Sequence, residues 1–236
     1  MLISFSGLDG AGKTTQIELL LNAFRKAGLR TGSVYDIYSD IRYHSIADLT
    51  DLQEYLEKFD AVHLRFRLNS DENSLLMADL EYSDFQNLYL AKAAALQGYF
   101  DHAQLYRYVV FPLLEKGKTI LSDRYYYDEI VFKCVYGCDY SVMRKMYMDC
   151  RKPDLAFYIA AHPQDIFRRN VDRPDGKTTL YRDISHILQL TKLFEQLTQD
   201  SELIRIDGTR SRNDVHKQIL STFEGADFPL IKPETC

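Results

Sequence analysis

The chain has 236 residues, of which 46% are hydrophobic and 27% charged, so it is long enough to bury a core and too apolar to be disordered. No apolar run approaches the roughly 18 residues of a membrane-spanning helix, and the N-terminus shows no basic leader, which predicts a cytoplasmic protein without a membrane partner. A net charge of −5 argues against nucleic acid as a partner, although it allows a local basic pocket.

Short apolar strands and amphipathic helices alternate along the chain. A strand at 2–6 precedes a glycine-rich turn and a helix that starts at Lys13 and ends near Gly28. The pattern is mostly helical over 47–116, and further helices are predicted near 184–191 and 215–223. The other predicted strands are 33–37, 118–122, 155–160 and 203–206. Continuous apolar strands are typical of a parallel sheet covered on both faces, so we expect one α/β domain over 1–225 and a tail at 226–236.

The clearest motif joins the first strand to the first helix. Residues 7–14 read Gly-Leu-Asp-Gly-Ala-Gly-Lys-Thr and satisfy GxxxxGK[ST], the phosphate-binding loop (P-loop) pattern, in its required context. Backbone N–H groups of such a loop surround phosphate oxygens, the lysine reaches the β- and γ-phosphates, and the hydroxyl after it binds Mg²⁺. The alternative is a glycine-rich turn that only connects two elements. The residues predicted to bind the nucleoside triphosphate are Gly7, Asp9, Gly10, Ala11, Gly12, Lys13, Thr14 and Thr15.

Two further charged groups lie where ligands are expected. Asp123 and Arg124 end a buried strand, at the sheet edge that binds ligands in open α/β folds. Asp123 is placed to hold Mg²⁺ or to fix Arg124, and Arg124 to contact the transferred phosphoryl group or the acceptor; a structural ion pair is the alternative. Basic residues also surround the turn at 174–176, which predicts a lid over about 168–182 that neutralises phosphate charge, or else a solvated helix end. These are Arg168, Arg169, Arg173, Lys177 and Arg182.

Four segments carry a resemblance to a known family. They are FSGLDGAGKTTQ, FPLLEKGKTILSDRY, KPDLAFYI and LIRIDGT. With them the chain resembles the thymidylate kinases, which are P-loop nucleoside monophosphate kinases, over roughly residues 1–222. The resemblance implies a parallel five-stranded sheet with helices on both faces, ATP with Mg²⁺ as phosphoryl donor, a small nucleotide-like acceptor and a homodimer.

The resemblance also implies roles for individual residues. Position 10 is glycine rather than arginine, so the catalytic arginines are expected from the lid, where Arg169 and Arg173 match. They join Lys13, Asp123 and Arg124 as the predicted catalytic residues, with Thr14 and Asp123 at the metal. Asp9 matches the acid that holds the acceptor sugar, and Phe132 the aromatic residue that packs near it.

The part of the chain that faces the acceptor departs from the family pattern. The arginine that reads the acceptor base aligns with His102, and Asp128 stands where a serine is common. Residues 35–42 replace the usual segment after the second strand, and the chain between that strand and His102 is longer than usual. The helical segment on the acceptor side is predicted at about 38–116. Arg42 is a candidate phosphate ligand and Asp36 a candidate general base. The predicted acceptor-binding residues are therefore Asp9, Asp36, Arg42, His102, Arg124 and Phe132, and we expect an acceptor other than ordinary dTMP.

Two other functions remain open from the sequence. A deoxynucleoside kinase, or a kinase of another small hydroxyl compound, would use the same donor motif with a different acceptor pocket. An ATP-binding regulator without activity would keep the loop and lose acceptor-dependent turnover. ATP consumption with a panel of acceptors separates these alternatives.

Overall fold

The structure is a computed structural model, and it describes residues 1–33, 46–65, 88–171, 183–201 and 203–223. Its strands form one parallel sheet in the order β2-β3-β4-β1-β5-β6. They are β1 (Leu2–Ser6), β2 (Thr31–Ser33), β3 (Ala61–Arg65), β4 (Thr119–Asp123), β5 (Leu155–Ala160) and β6 (Ile204–Asp207). The parallel α/β prediction is confirmed, whereas the prediction of five strands is wrong by one.

The missed strand is β3, which lies inside the stretch predicted to be helical. Residues 61–64 are all buried between β2 and β4, so both faces of the strand are covered. A short strand buried on both faces has no apolar–polar alternation, and periodicity alone does not separate it from a buried turn of helix. The second strand is also earlier than predicted, ending at Ser33, and residues 34–37 lie outside the described part of the chain.

The helices follow the sequence pattern more closely. They are α1 (Lys13–Lys26), α2 (Ile46–Leu56), α3 (Leu88–Leu105), α4 (Phe111–Glu115), α5 (Tyr126–Val135), α6 (Tyr140–Met146), α7 (Pro163–Val171), α8 (Ile184–Gln199) and α9 (Arg212–Ser221). A π-helical turn, Tyr106–Val110, joins α3 to α4. Pro112 follows this turn and has no N–H to bond to the carbonyl four residues before it, which favours a local change of helical register.

Side chains of the central strands form the core together with the inner faces of the helices. Every residue of β1 and β4 is buried, so both faces of the central sheet are covered. No helix in the described ranges is long and apolar enough to cross a membrane. The predicted tail, 226–236, and most of the predicted lid lie outside those ranges.

The strand order places the site. From β1 the chain crosses to the far edge at β2 and returns through β3 to β4, whereas β5 and β6 continue on the other side of β1. The direction of winding therefore reverses between β1 and β4, and the carboxyl ends of these two strands flank a crevice. In open α/β sheets, ligands bind at such a switch point.

Candidate active site

The phosphate-binding loop leaves β1 in a conformation that only glycine adopts easily. Gly7 has φ +135°, and a Cβ atom there would lie 2.8 Å from the carbonyl oxygen of Ile159 on the neighbouring strand. Gly10 has φ +85°. These positions let the backbone turn sharply and pass close to β5 before α1 begins at Lys13, with Thr14 and Thr15 in the first turn of the helix.

Lys13 is buried inside the loop, with 5% of its surface exposed. Its Nζ donates to the carbonyl oxygens of Gly7 at 2.9 Å and Leu8 at 3.0 Å and lies 3.8 Å from the Asp9 carboxylate. Burial and the nearby charge of Arg124 lower the pKa of Lys13, and Asp9 opposes the shift. The bonds to loop carbonyls are ones that an ammonium group can exchange for phosphate oxygens.

Thr14 and Asp123 meet across the crevice. The Thr14 hydroxyl donates to Oδ2 of Asp123 at 2.8 Å, and Asp123 is 3% exposed. Burial alone would raise the pKa of Asp123, but the charges of Lys13 and Arg124 and the bond from Thr14 lower it overall. An ionised carboxylate beside a hydroxyl fits Mg²⁺, which is commonly held by one or two carboxylates, with substrate phosphates and waters completing its shell.

Arg124 connects the loop to the end of β4. Its Nη1 donates to Asp128 at 2.7 Å and to the Gly7 carbonyl at 3.2 Å, and its Nη2 donates to the Asp9 carboxylate. The guanidinium carbon lies 5.1 Å from the centre of the Phe132 ring, within range of a cation–π contact. Arg124 has φ +73°, and no other non-glycine residue in the described ranges has a positive φ.

Asp128 is a site residue that the sequence reasoning missed. It is 1% exposed, and besides Arg124 it accepts the N–H of Gly7 at 3.3 Å. It is also the third residue of α5, where its carboxylate and Tyr125 cap the helix reciprocally. The sequence signal is that aspartate stands where the resemblance predicts a serine, but no sequence pattern shows that this carboxylate contacts Arg124.

The end of α7 lies against the loop. Arg169 Nη1 donates to the carbonyl oxygen of Gly10 at 2.6 Å, and Asn170 Nδ2 donates to that of Asp9 at 2.8 Å. Arg168 points elsewhere and pairs with Asp165 on its own helix. The structure therefore brings Arg169, one of the two predicted catalytic lid arginines, to the phosphate loop, whereas Arg173 lies outside the described residues.

His102 lies in an aromatic cluster behind the crevice. Its ring centre is 4.8 Å from that of Tyr125, 6.0 Å from Tyr126 and 5.9 Å from Tyr147. Only 6% of its surface is exposed, and burial lowers its pKa to about 4, with Glu129 opposing the shift. His102 is therefore a neutral, packed side chain at neutral pH, whereas the resemblance predicts a charged arginine at this position.

The remaining residues predicted to bind the acceptor come after the edge strand β2 in the chain. Asp36 and Arg42 lie outside the described residues, and the strand before them, β2, is separated from β4 by β3. It is β3 that runs beside β4, and its last residue, Arg65, is in register with Asp123. Sequence reasoning missed this placement because β3 itself was not recognised.

Together these features define a class of protein: a P-loop phosphotransferase with its reacting groups at the switch point of a parallel sheet. Residues 72–219 match the family model described as Thymidylate kinase, and the chain belongs to the thymidylate kinase family. It is therefore a nucleotide kinase, and the predicted enzyme class is confirmed.

Named relatives support this assignment over nearly the full length. The chain is 25% identical to the thymidylate kinase of Halothermothrix orenii, covering 95% of this chain and 97% of the relative. It is 27% identical to that of Thermosipho africanus, covering 95% and 98%. A probable thymidylate kinase of Pyrococcus horikoshii is 24% identical, with 93% of each chain covered.

Proposed function

We propose that the protein transfers the γ-phosphoryl group of ATP to a nucleoside monophosphate similar to dTMP, in an acceptor pocket altered so that ordinary dTMP is not the preferred substrate. The observation that carries the proposal is the contact network at the ends of β1 and β4, where Lys13, Thr14, Asp123 and Arg124 converge. Phosphoryl transfer depends mainly on positioning and on neutralising charge, and this network supplies both.

On the donor side, the loop and its lysine hold the ATP phosphates. Lys13 exchanges its bonds to the Gly7 and Leu8 carbonyls for oxygens of the β- and γ-phosphates. Thr14 and Asp123 would hold Mg²⁺, which neutralises phosphate charge when bound. Arg169, already at the loop, and Arg173 stabilise the charge that develops on the transferred group.

On the acceptor side, Arg124 lies at the centre of the proposed pocket. Asp9 and Phe132 both contact it, which supports their placement next to the acceptor sugar. Arg42 is kept as the proposed ligand of an acceptor phosphate; it lies outside the described residues.

One observation favours a second candidate, a nucleoside acceptor that carries no phosphate. Arg124 is paired with two carboxylates, Asp9 and Asp128, so much of its charge is already neutralised before substrate binds. A phosphate would have to compete with both carboxylates for the guanidinium. A neutral acceptor hydroxyl would not.

The test is a panel of deoxynucleosides and nucleoside monophosphates, scored by acceptor-dependent release of ADP. Turnover of a monophosphate other than dTMP supports the proposal, and turnover of nucleosides alone supports the second candidate. Normal dTMP turnover contradicts the altered acceptor preference. Lys13→Ala serves as the control without transfer, because it removes the group that reaches the phosphates.

The predicted homodimer also remains a proposal. Three apolar residues on one side of α3 are exposed: Tyr89 by 79%, Leu96 by 63% and Phe100 by 62%. Their spacing of seven and four residues places them on one helix face, which suits packing against a second copy. Sedimentation equilibrium of the native chain and of Leu96→Glu checks this, since a dimer formed through this face would dissociate in the variant.

A further inference from the structure

Two neighbouring side chains of α7 hold the outside of the phosphate loop. Asn170 donates to the carbonyl of Asp9 at 2.8 Å, and Arg169 donates to the carbonyl of Gly10 at 2.6 Å. Asn170 is itself anchored, because the same amide nitrogen donates to the carbonyl of Ile166 one helical turn earlier, also at 2.8 Å. The helix therefore binds two successive peptide groups of the loop.

The bond from Asn170 sets the orientation of one backbone N–H group. A trans peptide group is planar, and its C=O and N–H point in opposite directions. The carbonyl of Asp9 and the N–H of Gly10 belong to the same peptide group, so the bond from Asn170 directs that N–H away from α7. The next N–H along the loop, that of Ala11, is already bonded within the loop. It donates to the carbonyl of Leu8 at 3.1 Å and closes a turn.

The packing around Gly10 shows how closely the helix approaches. A Cβ atom at this residue would lie 3.4 Å from both Asn170 Nδ2 and Arg169 Cβ, which is van der Waals contact. Gly10 also has φ +85°, which other residues rarely adopt. A glycine at this position lets α7 seat its side chains directly on the loop backbone.

We propose that Asn170 is a positioning residue that orients the Gly10 N–H toward the phosphates of ATP. Loops of this class bind phosphate through backbone N–H groups, which requires their carbonyls to be held on the outside. Arg169 has to leave the Gly10 carbonyl to reach a phosphate, whereas the neutral Asn170 stays in place and keeps the loop in its binding conformation. The inference rests on the proposed placement of the ATP phosphates on this loop.

Calorimetry with two partial ligands tests this role. Inorganic tripolyphosphate with Mg²⁺ probes the loop without the nucleoside, and adenosine probes the base site without the phosphates. Asn170→Ala is expected to weaken tripolyphosphate binding about tenfold, as for the loss of one hydrogen bond, and to leave adenosine binding unchanged. Asn170→Asp is expected to weaken it further, because a carboxylate cannot donate and adds negative charge.

Two control variants make the outcomes decisive. Gln164→Glu makes the same amide-to-carboxylate change at an exposed position of α7 and is expected to bind tripolyphosphate as the native chain does. Native affinity in Asn170→Ala, or an equal loss of adenosine and tripolyphosphate binding together with a lower Tm, overturns the positioning role. Lys13→Ala separates a failure of the role of Asn170 from a failure of the proposed phosphate site. If it loses tripolyphosphate while Asn170→Ala does not, only the role of Asn170 fails; if Lys13→Ala also binds normally, the placement of phosphates on the loop fails.

Discussion

The donor half of the molecule (the phosphate loop, the end of β4 and α7) and the acceptor half (β2, β3, α3 and the aromatic cluster) differ in how they are built. The donor half is a network of buried charges and backbone bonds from segments far apart in the chain, such as Thr14 with Asp123. The acceptor half is dominated by packing, with His102 and tyrosine rings in contact. Binding a polyphosphate requires particular charged groups and backbone N–H groups at fixed positions. A pocket formed mainly by packed rings can instead change its residues when its substrate differs.

The largest expected effect is on turnover, and it tests whether the donor half depends on the negative charge of Asp123. Asp123→Asn keeps the size of the side chain but removes the ionised carboxylate that we propose as a metal ligand, so we expect turnover to fall at least about a hundredfold and the Mg²⁺ requirement to rise. Steady-state rates over a Mg²⁺ titration measure both. The matched control is Asp154→Asn, at the amino end of β5, whose carboxylate accepts the N–H of Leu2 far from the crevice. Equal loss in both variants would contradict a metal role.

The edge strand β2 offers a test in the acceptor half. A Cβ atom at Gly32 in β2 would lie 2.5 Å from the ring of Phe59, so Gly32→Ala is expected to destabilise the fold by about 2 kcal/mol through overpacking. Urea denaturation gives this value. The KM for ATP should stay unchanged, because β2 lies at the sheet edge. A large change in that KM would show that the two halves are coupled.

A pH measurement sharpens the description of the aromatic cluster. The pKa of His102 falls from 6.5 to about 4 on folding, so between these values the unfolded chain binds more protons and the native state loses stability as pH falls. Phenylalanine keeps the packing and cannot be protonated. His102→Phe is therefore expected to lose less unfolding free energy between pH 7.5 and pH 5 than the native chain, by an amount approaching 2 kcal/mol. Parallel pH profiles would contradict the buried, neutral state.

The smallest effect concerns the carboxylate where the halves meet. Asp128→Asn retains the shape of the side chain and removes the charge beside Arg124. We expect the KM of a monophosphate acceptor to fall about fivefold, because the guanidinium charge is then shared with one carboxylate fewer, while the KM of ATP stays the same. Asp165→Asn, beside the exposed Arg168, is the control. A higher acceptor KM would instead show that Asp128 acts by holding Arg124 in position.

Sequence reasoning predicted the donor half in detail because its chemistry demands particular residues at fixed spacings. The loop, Lys13, Thr14 and the Asp123–Arg124 pair are all found together at the switch point. The acceptor half was predicted less well. Buried strand β3 has no distinctive period, and no local pattern reveals that it runs beside β4. Nor does any pattern show that Asp128 and Asn170 contact the phosphate loop, since those contacts depend on tertiary packing.

The positive φ of Arg124 has a consequence for how this position tolerates change. A non-glycine residue in the left-handed region carries a conformational cost of about 1 kcal/mol that glycine does not. Arg124→Gly and Arg124→Ala remove the same guanidinium and differ mainly in that cost, so the glycine variant should be the more stable of the two. Both variants also lose the buried ion pairs to Asp9 and Asp128, so in the native chain the contacts of the guanidinium offset the conformational cost of its own backbone.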